Sequence, residues 1–280
     1  MPKVGWEEMA DVPPFTSDDP LTEGWSRARD DPNIVARTAH LKAHSGISGL
    51  EVCAPEEVER VVRLFLRDGF VAVRDVMSVG QLRRVQAATA EVIAERLAET
   101  PNGVTYNKDG SIIRQPGRYS FGSHGNLHRP EWCMLADLPA VHTILRSIFQ
   151  SSNFMCWGAG GDFCIPGTIE YQALHRDLGP NVGDFQDTTG RLEVWDLPPF
   201  AVTCNFPMVD FDYLNGPIRQ IPGTQNSRDP PPSPAEEPEW MRLSTVQPLG
   251  AGGVIIRDLR AYHGGTPNLS ETVRAIPNVE

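Results

Sequence analysis

From Thr100 onward the chain has room for neither a long helix nor a long strand. Its apolar runs are short and are cut by Gly, Pro or Asn roughly every eight to fifteen residues. Gly weakens helices and strands through backbone entropy, and Pro removes a backbone donor and clashes with the preceding turn. With 25 Gly and 25 Pro in 280 residues, a helical bundle and a coiled coil are disfavoured. Short runs bounded by turn residues predict antiparallel strands at 168–174, 201–208, 218–221, 254–256 and 273–276, closed into a sandwich or barrel, with a short helix near 138–149. The segment 229–238, DPPPSPAEEP, cannot enter a sheet interior because its prolines have no N–H to donate, so an exposed loop is expected there.

The N-terminal part has a different texture. Residues 1–53 are acidic, Pro-rich and without a sustained period, which predicts an irregular arm. Ala54-Pro55-Glu56-Glu57 then places Pro in a first helical turn and acids at the positive helix end. Val58, Val61, Val62, Phe65 and Leu66 follow at helical spacing until Gly69. Phe70-Val71-Ala72-Val73 reads as a strand, and Ser78-x-x-Gln81 is a capping box for a second helix carrying Leu82, Val85, Thr89, Val92, Ile93 and Leu97. The expectation is an α+β chain with a mainly β core, a sandwich or barrel of antiparallel strands with two N-terminal helices packed outside it.

Composition bounds the partners. At 40% hydrophobic and 22% charged residues the chain can bury a core. A net charge of −11 and the lack of a basic stripe oppose nucleic acid and anionic lipid. Gly253-Val254-Ile255-Ile256 is among the longest apolar runs, too short for a bilayer, and the first twenty residues lack a signal-peptide apolar region, so a cytoplasmic location without membrane attachment is expected. The five cysteines contain no CxxC pair and read as buried thiols. Oligomeric state is not legible.

The chemistry centres on Gln172-Ala173-Leu174-His175-Arg176-Asp177. In an extended segment, residues two apart share a face, so His175 and Asp177 project together as half of a metal site. His263, in Asp258-Leu259-Arg260-Ala261-Tyr262-His263-Gly264-Gly265, follows a β-branched run and is the best third ligand. Two His and one carboxylate with open positions on one side is the arrangement of non-haem Fe(II) oxygenases, where iron must accept a bidentate co-substrate and O2 together. Arg274 lies in the next strand-like run, 272–276, and a guanidinium inside a barrel needs an anionic partner, for which its fork matches a carboxylate. Alternatives stay open at this stage: a surface ion pair at His175 and Asp177, a catalytic zinc site, or a jelly-roll protein that binds metal or ligand without turnover. A protein kinase is excluded. His175-Arg176-Asp177-Leu178 copies the start of the kinase catalytic loop, but Val182 stands where its Asn belongs and no glycine-rich loop with a downstream lysine exists.

Taken in order, His175-x-Asp177, Asn215-Gly216-Pro217-Ile218-Arg219-Gln220-Ile221-Pro222-Gly223, His263, Gly264-Gly265-x-Pro267-Asn268-x-Ser270 and Arg274 resemble the phytanoyl-CoA dioxygenase family of Fe(II)/2-oxoglutarate oxygenases. Arg67-Asp68-Gly69-Phe70 resembles its N-terminal region, and the likeness runs from about Pro55 to the end. The resemblance implies a jelly-roll, cupin-like double-stranded β-helix as one domain over residues 54–280, Fe(II) on His175, Asp177 and His263, and 2-oxoglutarate paired with Arg274. It also implies consumption of O2, release of succinate and CO2, and hydroxylation, desaturation or ring closure of a small-molecule substrate. Gln172 and Thr203, with Arg118 and Tyr119, are candidates for a second 2-oxoglutarate contact. Asn205, Arg118, Tyr119 and His124 are candidates for the substrate, with 118–128 read as a substrate-facing loop. Two departures stand out: many relatives have Pro-Gly-Ser-His where this chain has Pro222-Gly223-Thr224-Gln225, and a large aromatic residue where it has Asn205. The scarcity of basic residues near the motifs leaves a coenzyme A ester without a landing surface, which favours a natural-product intermediate.

Overall fold

In the computed structural model, which describes residues 30–100, 105–106, 112–114, 117–122, 125–178 and 187–280, the alternating apolar pattern has built two facing β-layers. The larger is a seven-stranded sheet with strand order β1-β2-β9-β7-β11-β6-β5. Its members are β1 (Val52–Cys53), β2 (Phe70–Val73), β5 (Arg118–Ser120), β6 (Ala159–Cys164), β7 (Val202–Asn205), β9 (Val254–Asp258) and β11 (Arg274–Val279). The facing layer pairs β8 (Ile218–Gln220) with β10 (His263–Gly265), and isolated bridges add His175 beside His263 and Thr245 beside Arg219. β3 (Thr105–Tyr106) and β4 (Ile112–Arg114) form a separate antiparallel pair. This is the double-stranded β-helix, mainly β with a few outer helices.

Strand alternation divides the large sheet into two functional faces. Val202, Cys204, Val254, Ile256, Phe163 and Ala275 point outward and pack with Val61, Phe65, Val85, Ile93, Trp132 and Ile144 of the helices in one core cluster. Fully burying side chains of this size contributes about 1.5–3 kcal/mol each. Their neighbours in sequence, including Ile255 and Ile276, point inward and join Phe70, Phe211, Val246 and Leu249 between the two layers. The polar residues that share this inward face, in rows set by strand register, line the site described below.

The helices follow the sequence signals with some shifts. α2 (Val58–Asp68) ends at Gly69, whose φ of 78° is the left-handed cap that L side chains avoid. It begins at Val58 rather than at 54, because Glu57 turns back and accepts a hydrogen bond from Ala54 N. α3 (Val79–Glu99) carries the expected capping box between Ser78 and Gln81, and α5 (Pro139–Phe149) lies where a short helix is expected. α4 (Pro130–Ala136) and α6 (Glu239–Arg242) have no counterpart among the expectations.

Two expectations are corrected. The irregular arm over 1–53 contains α1 (Pro32–His44), capped by Asp31 on Asn33 N with Pro32 in the first turn, and also β1. Only Ile34 and Leu41 of α1 are buried, so the helix carries little amphipathic signal. The strand predicted at 168–174 is not a regular strand. It is extended chain held by single contacts, Gln172 N to Gly265 O and Thr168 bridged to Asn268, with a bend at Glu170 between them. The 229–238 loop is largely exposed as expected, except that Glu237 turns inward and pairs with Arg219, both fully buried. Gly179-Pro180, which reads as a turn after the His-x-Asp segment, lies outside the described residues. No helix among the described residues is long and apolar enough to cross a membrane.

Candidate metal centre

His175 and His263 are opposed across the smaller layer. His175 N donates to His263 O at 3.0 Å, His263 N donates to His175 O at 3.1 Å, and their ring centroids lie 4.2 Å apart. Asp177, two residues on, is tied by its backbone N to Leu259 O at 3.0 Å and shares the face of His175. Asp177 Oδ1 lies 3.7 Å from His175 Nε2 and 3.6 Å from His263 Nε2. One ligand atom from each of the three residues lies within 4.8 Å of the others, so the group could hold a metal ion.

The second nitrogens and the charges fit that use. His175 Nδ1 is 3.0 Å from Ala173 O and His263 Nδ1 is 3.3 Å from Ala261 O. A carbonyl can only accept, so these contacts assign the proton to Nδ1 and leave each Nε2 lone pair facing the other ligands. Burial and then the charge of Arg257 hold His263 well below the usual histidine range, which keeps it neutral. Burial alone would raise Asp177, but the charge and the hydrogen bond of Arg257 outweigh it and keep the carboxyl below the usual range, hence ionised. A neutral imidazole and an ionised carboxylate are the forms that bind metal.

Arg257 is the principal residue missed in the sequence. It sits on β9, its side chain is 4% exposed, and its Nη2 donates to Asp177 Oδ2 at 2.7 Å. Its only sequence signal is a charge that ends the apolar run Val254-Ile255-Ile256, next to Asp258.

A cavity of about 310 Å³ opens between the layers, lined by the triad and by Arg118, Gln172, Asn205, Arg257 and Arg274 among others. Arg274 is 3% exposed, its Nε is buried without a hydrogen-bond partner, and burial pushes its pKa below the usual value. Strand register places Arg274 of β11, Cys164 of β6 and Arg118 of β5 in one row across the sheet. Arg118 donates through Nη2 to Glu170 O and Thr266 O, both at 2.7 Å.

The two glycines after His263 are explained by two arginines. A Cβ on Gly264 would stand 3.0 Å from Arg219 Nε, and one on Gly265 would stand 2.8 Å from Arg118 Cζ. Gln172 also lines the cavity, with its Oε1 accepting from Gly265 N at 3.0 Å.

The other candidates divide. Asn205 lines the cavity with its Nδ2 lacking a hydrogen-bond partner. Thr203 is on the inward face of β7 but does not line the cavity; its hydroxyl accepts from Asn278 Nδ2 at 3.3 Å. Tyr119 is corrected: alternation along β5 turns it to the outer face, where it stacks on Phe163 with ring centroids 4.7 Å apart. His124 lies outside the described residues. The expected loop at 118–128 begins as β5 and ends as a 3-10 turn over Gly125–His128, with His128 exposed. The Gln225 departure serves the scaffold, since its Nε2 donates to Leu66 O at the end of α2. Thr224 Oγ1 accepts from Tyr262 N, next to His263.

Solved structures share this architecture at low identity. The 2-oxoglutarate-dependent epimerase SnoN from nogalamycin biosynthesis is 19% identical with a TM-score of 0.58, covering 80% of each chain. It has also been solved with Fe3+, α-ketoglutarate and nogalamycin RO. The carbocyclase SnoK from the same biosynthesis is 18% identical at a TM-score of 0.58, covering 82% of this chain and 85% of its own. AviO1 from Streptomyces viridochromogenes is 17% identical at 0.53, covering 80% and 93%. No curated protein sequence matches significantly. The phytanoyl-CoA dioxygenase family model matches residues 65–276, and with more than half of the chain covered the protein belongs to that family of Fe(II)- and 2-oxoglutarate-dependent enzymes.

Proposed function

We propose that this protein is an oxygenase that acts on a small-molecule natural-product intermediate, with His175, Asp177 and His263 holding Fe(II) and Arg274 receiving the far carboxylate of 2-oxoglutarate. The carrying observation is the joint placement of a convergent His-Asp-His group and a buried arginine in one cavity. A zinc enzyme or a metal-binding protein without turnover needs no such cationic receptor. When bound, iron with 2-oxoglutarate and O2 supplies oxidative decarboxylation to succinate and CO2 together with abstraction of a substrate hydrogen. The protein's own groups do the positioning. Neutral His263 and ionised Asp177 offer lone pairs without having to lose protons, and Arg274 orients a dianion by a charge-assisted fork. Gln172 and Arg118, on either side of Gly265, are the candidate second contacts to the co-substrate, and Asn205 faces the substrate.

The natural-product assignment is supported by the epimerase and carbocyclase that share the fold, both enzymes of nogalamycin biosynthesis. Hydroxylation, desaturation and ring closure all begin with hydrogen abstraction, and we read residues 54–280 as the single domain that performs it. The test is anaerobic addition of Fe(II) and 2-oxoglutarate, which should produce a visible metal-to-ligand charge-transfer band that His175→Ala abolishes. Arg274→Ala should weaken 2-oxoglutarate binding by about tenfold or more, equivalent to about 1.4 kcal/mol, while leaving metal affinity nearly unchanged. Absence of the band in folded wild-type protein, or its survival in His175→Ala, would overturn the assignment.

A further inference from the structure

We propose that Arg257 is a positioning residue that confines Asp177 to one metal-facing oxygen and so preserves an open coordination position for the co-substrate and O2. The two carboxylate oxygens have separate partners. Oδ1 faces His175 Nε2 and His263 Nε2 at 3.7 and 3.6 Å, whereas Oδ2 accepts from Arg257 Nη2 at 2.7 Å. A carboxylate without that second partner can offer both oxygens to a metal. Three single-atom ligands leave three positions of an octahedron open, which a chelating keto acid and O2 together fill. A second oxygen from Asp177 would take one of them.

The placement of Arg257 suits it to this task. It comes from β9, and Asp177 N donates to Leu259 O just past the end of that strand, so the ion pair joins two backbone segments that are already hydrogen-bonded to one another. In register Arg257 is flanked by Thr203 on β7 and Phe70 on β2, both buried, and these neighbours confine the root of its side chain. Its side chain is 4% exposed, so water does not compete for the guanidinium.

The experiment compares Arg257→Met and Arg257→Lys in the full chain, with Co(II) as a spectroscopic metal and Fe(II) with 2-oxoglutarate as the functional pair. Outer-shell partners of a metal ligand commonly change affinity or activity by about 10- to 100-fold when removed. Here the loss should fall on 2-oxoglutarate. Arg257→Met should bind Co(II) within about threefold of wild type, shift its visible bands toward higher coordination, and weaken 2-oxoglutarate by about tenfold or more. Arg257→Lys keeps a cationic donor near Oδ2 and should restore most of the 2-oxoglutarate affinity and the wild-type Co(II) spectrum. Arg257→Gln repeats the neutral test if the methionine variant does not fold.

Unchanged spectra and unchanged 2-oxoglutarate affinity in a neutral variant would overturn the proposal. So would parallel loss of Co(II) and 2-oxoglutarate affinity in neutral and lysine variants alike, which marks a general structural role. The inference rests on the triad holding the metal. His175→Ala tests that reading separately, since retention of wild-type Co(II) affinity there would reject the triad itself, whatever Arg257 does.

Discussion

A single methyl group at position 265 tests how tightly the cavity wall is built. In Gly265→Ala the new Cβ would lie 2.8 Å from Arg118 Cζ and closer still to Nη1, where carbon contacts require about 3.5–4.0 Å. The guanidinium therefore has to shift by roughly 1 Å. It is pinned against doing so, because Nη2 donates to both Glu170 O and Thr266 O at 2.7 Å and the residue is 6% exposed. Hydrogen bonds from a charged group contribute about 1.5–3 kcal/mol each, so loss of the pair costs about 3–6 kcal/mol. The other escape, displacement of β10, would move His263 on the same face of that strand. Taking the lower figure, the midpoint of thermal unfolding should fall by about 6–12 °C for a chain near this size. The assay is thermal unfolding followed by circular dichroism, with Gly80→Ala as the control. Gly80 lies in the first turn of α3, where an added Cβ would meet nothing within 4 Å, so alanine there should be neutral or stabilising by up to about 1 kcal/mol. Adding Arg118→Met to Gly265→Ala removes the colliding group, and the double variant should lose less than the sum of the single losses. A Gly265→Ala midpoint within about 1 °C of wild type, or strict additivity in the double variant, would refute the steric account.

Two further outcomes follow from buried charge. Glu237→Gln leaves Arg219 fully buried without its carboxylate, a change that should destabilise by about 3–5 kcal/mol and lower the melting midpoint by roughly 6 °C or more. Replacing both partners by apolar residues should recover much of that loss, and a neutral Glu237→Gln would show that the pair contributes nothing. The metal-free protein should also weaken on acidification because of His263. Its folded pKa lies well below the 6.5 of the unfolded chain, so below that pH the unfolded state binds the extra proton and stability falls as pH drops. The loss should set in as pH falls through 6.5 and deepen below it, measured by urea unfolding. His263→Gln should remove this part of the profile, and parallel profiles for the two proteins would refute the assignment.

The legible parts of this protein are those that local chemistry specifies. The capping box at Ser78 and Gln81, the left-handed cap at Gly69 and the apolar spacing of α2 are contained within one turn or one helix. The His175-x-Asp177 pair is likewise local, because period-two alternation decides that both side chains share a face. Local signals mislead where remote contacts override them. β6, Ala159–Cys164, contains adjacent glycines and is absent from the expected strands. The glycines are there because a Cβ on Gly161 would stand 2.7 Å from Pro277 Cα, and one on Gly160 would press on Gly122 O. α1 is invisible to periodicity because only two of its residues face the core, and 168–174 has the composition of a strand although its pairing is interrupted. Tyr119 cannot share the cavity with its neighbour Arg118, because a strand turns consecutive residues to opposite faces.

By itself the sequence determined a core of short antiparallel strands and the shared face of His175 and Asp177, since turn residues and side-chain alternation act over a few positions, while the double-stranded β-helix followed from the family resemblance. The tertiary structure alone decided which charges meet across the cavity. Arg257 reaches Asp177 from β9, 80 positions along the chain, and Arg118 presses on Gly265 from β5. Those contacts depend on how two sheets close on one another, a distance that no local pattern of residues encodes.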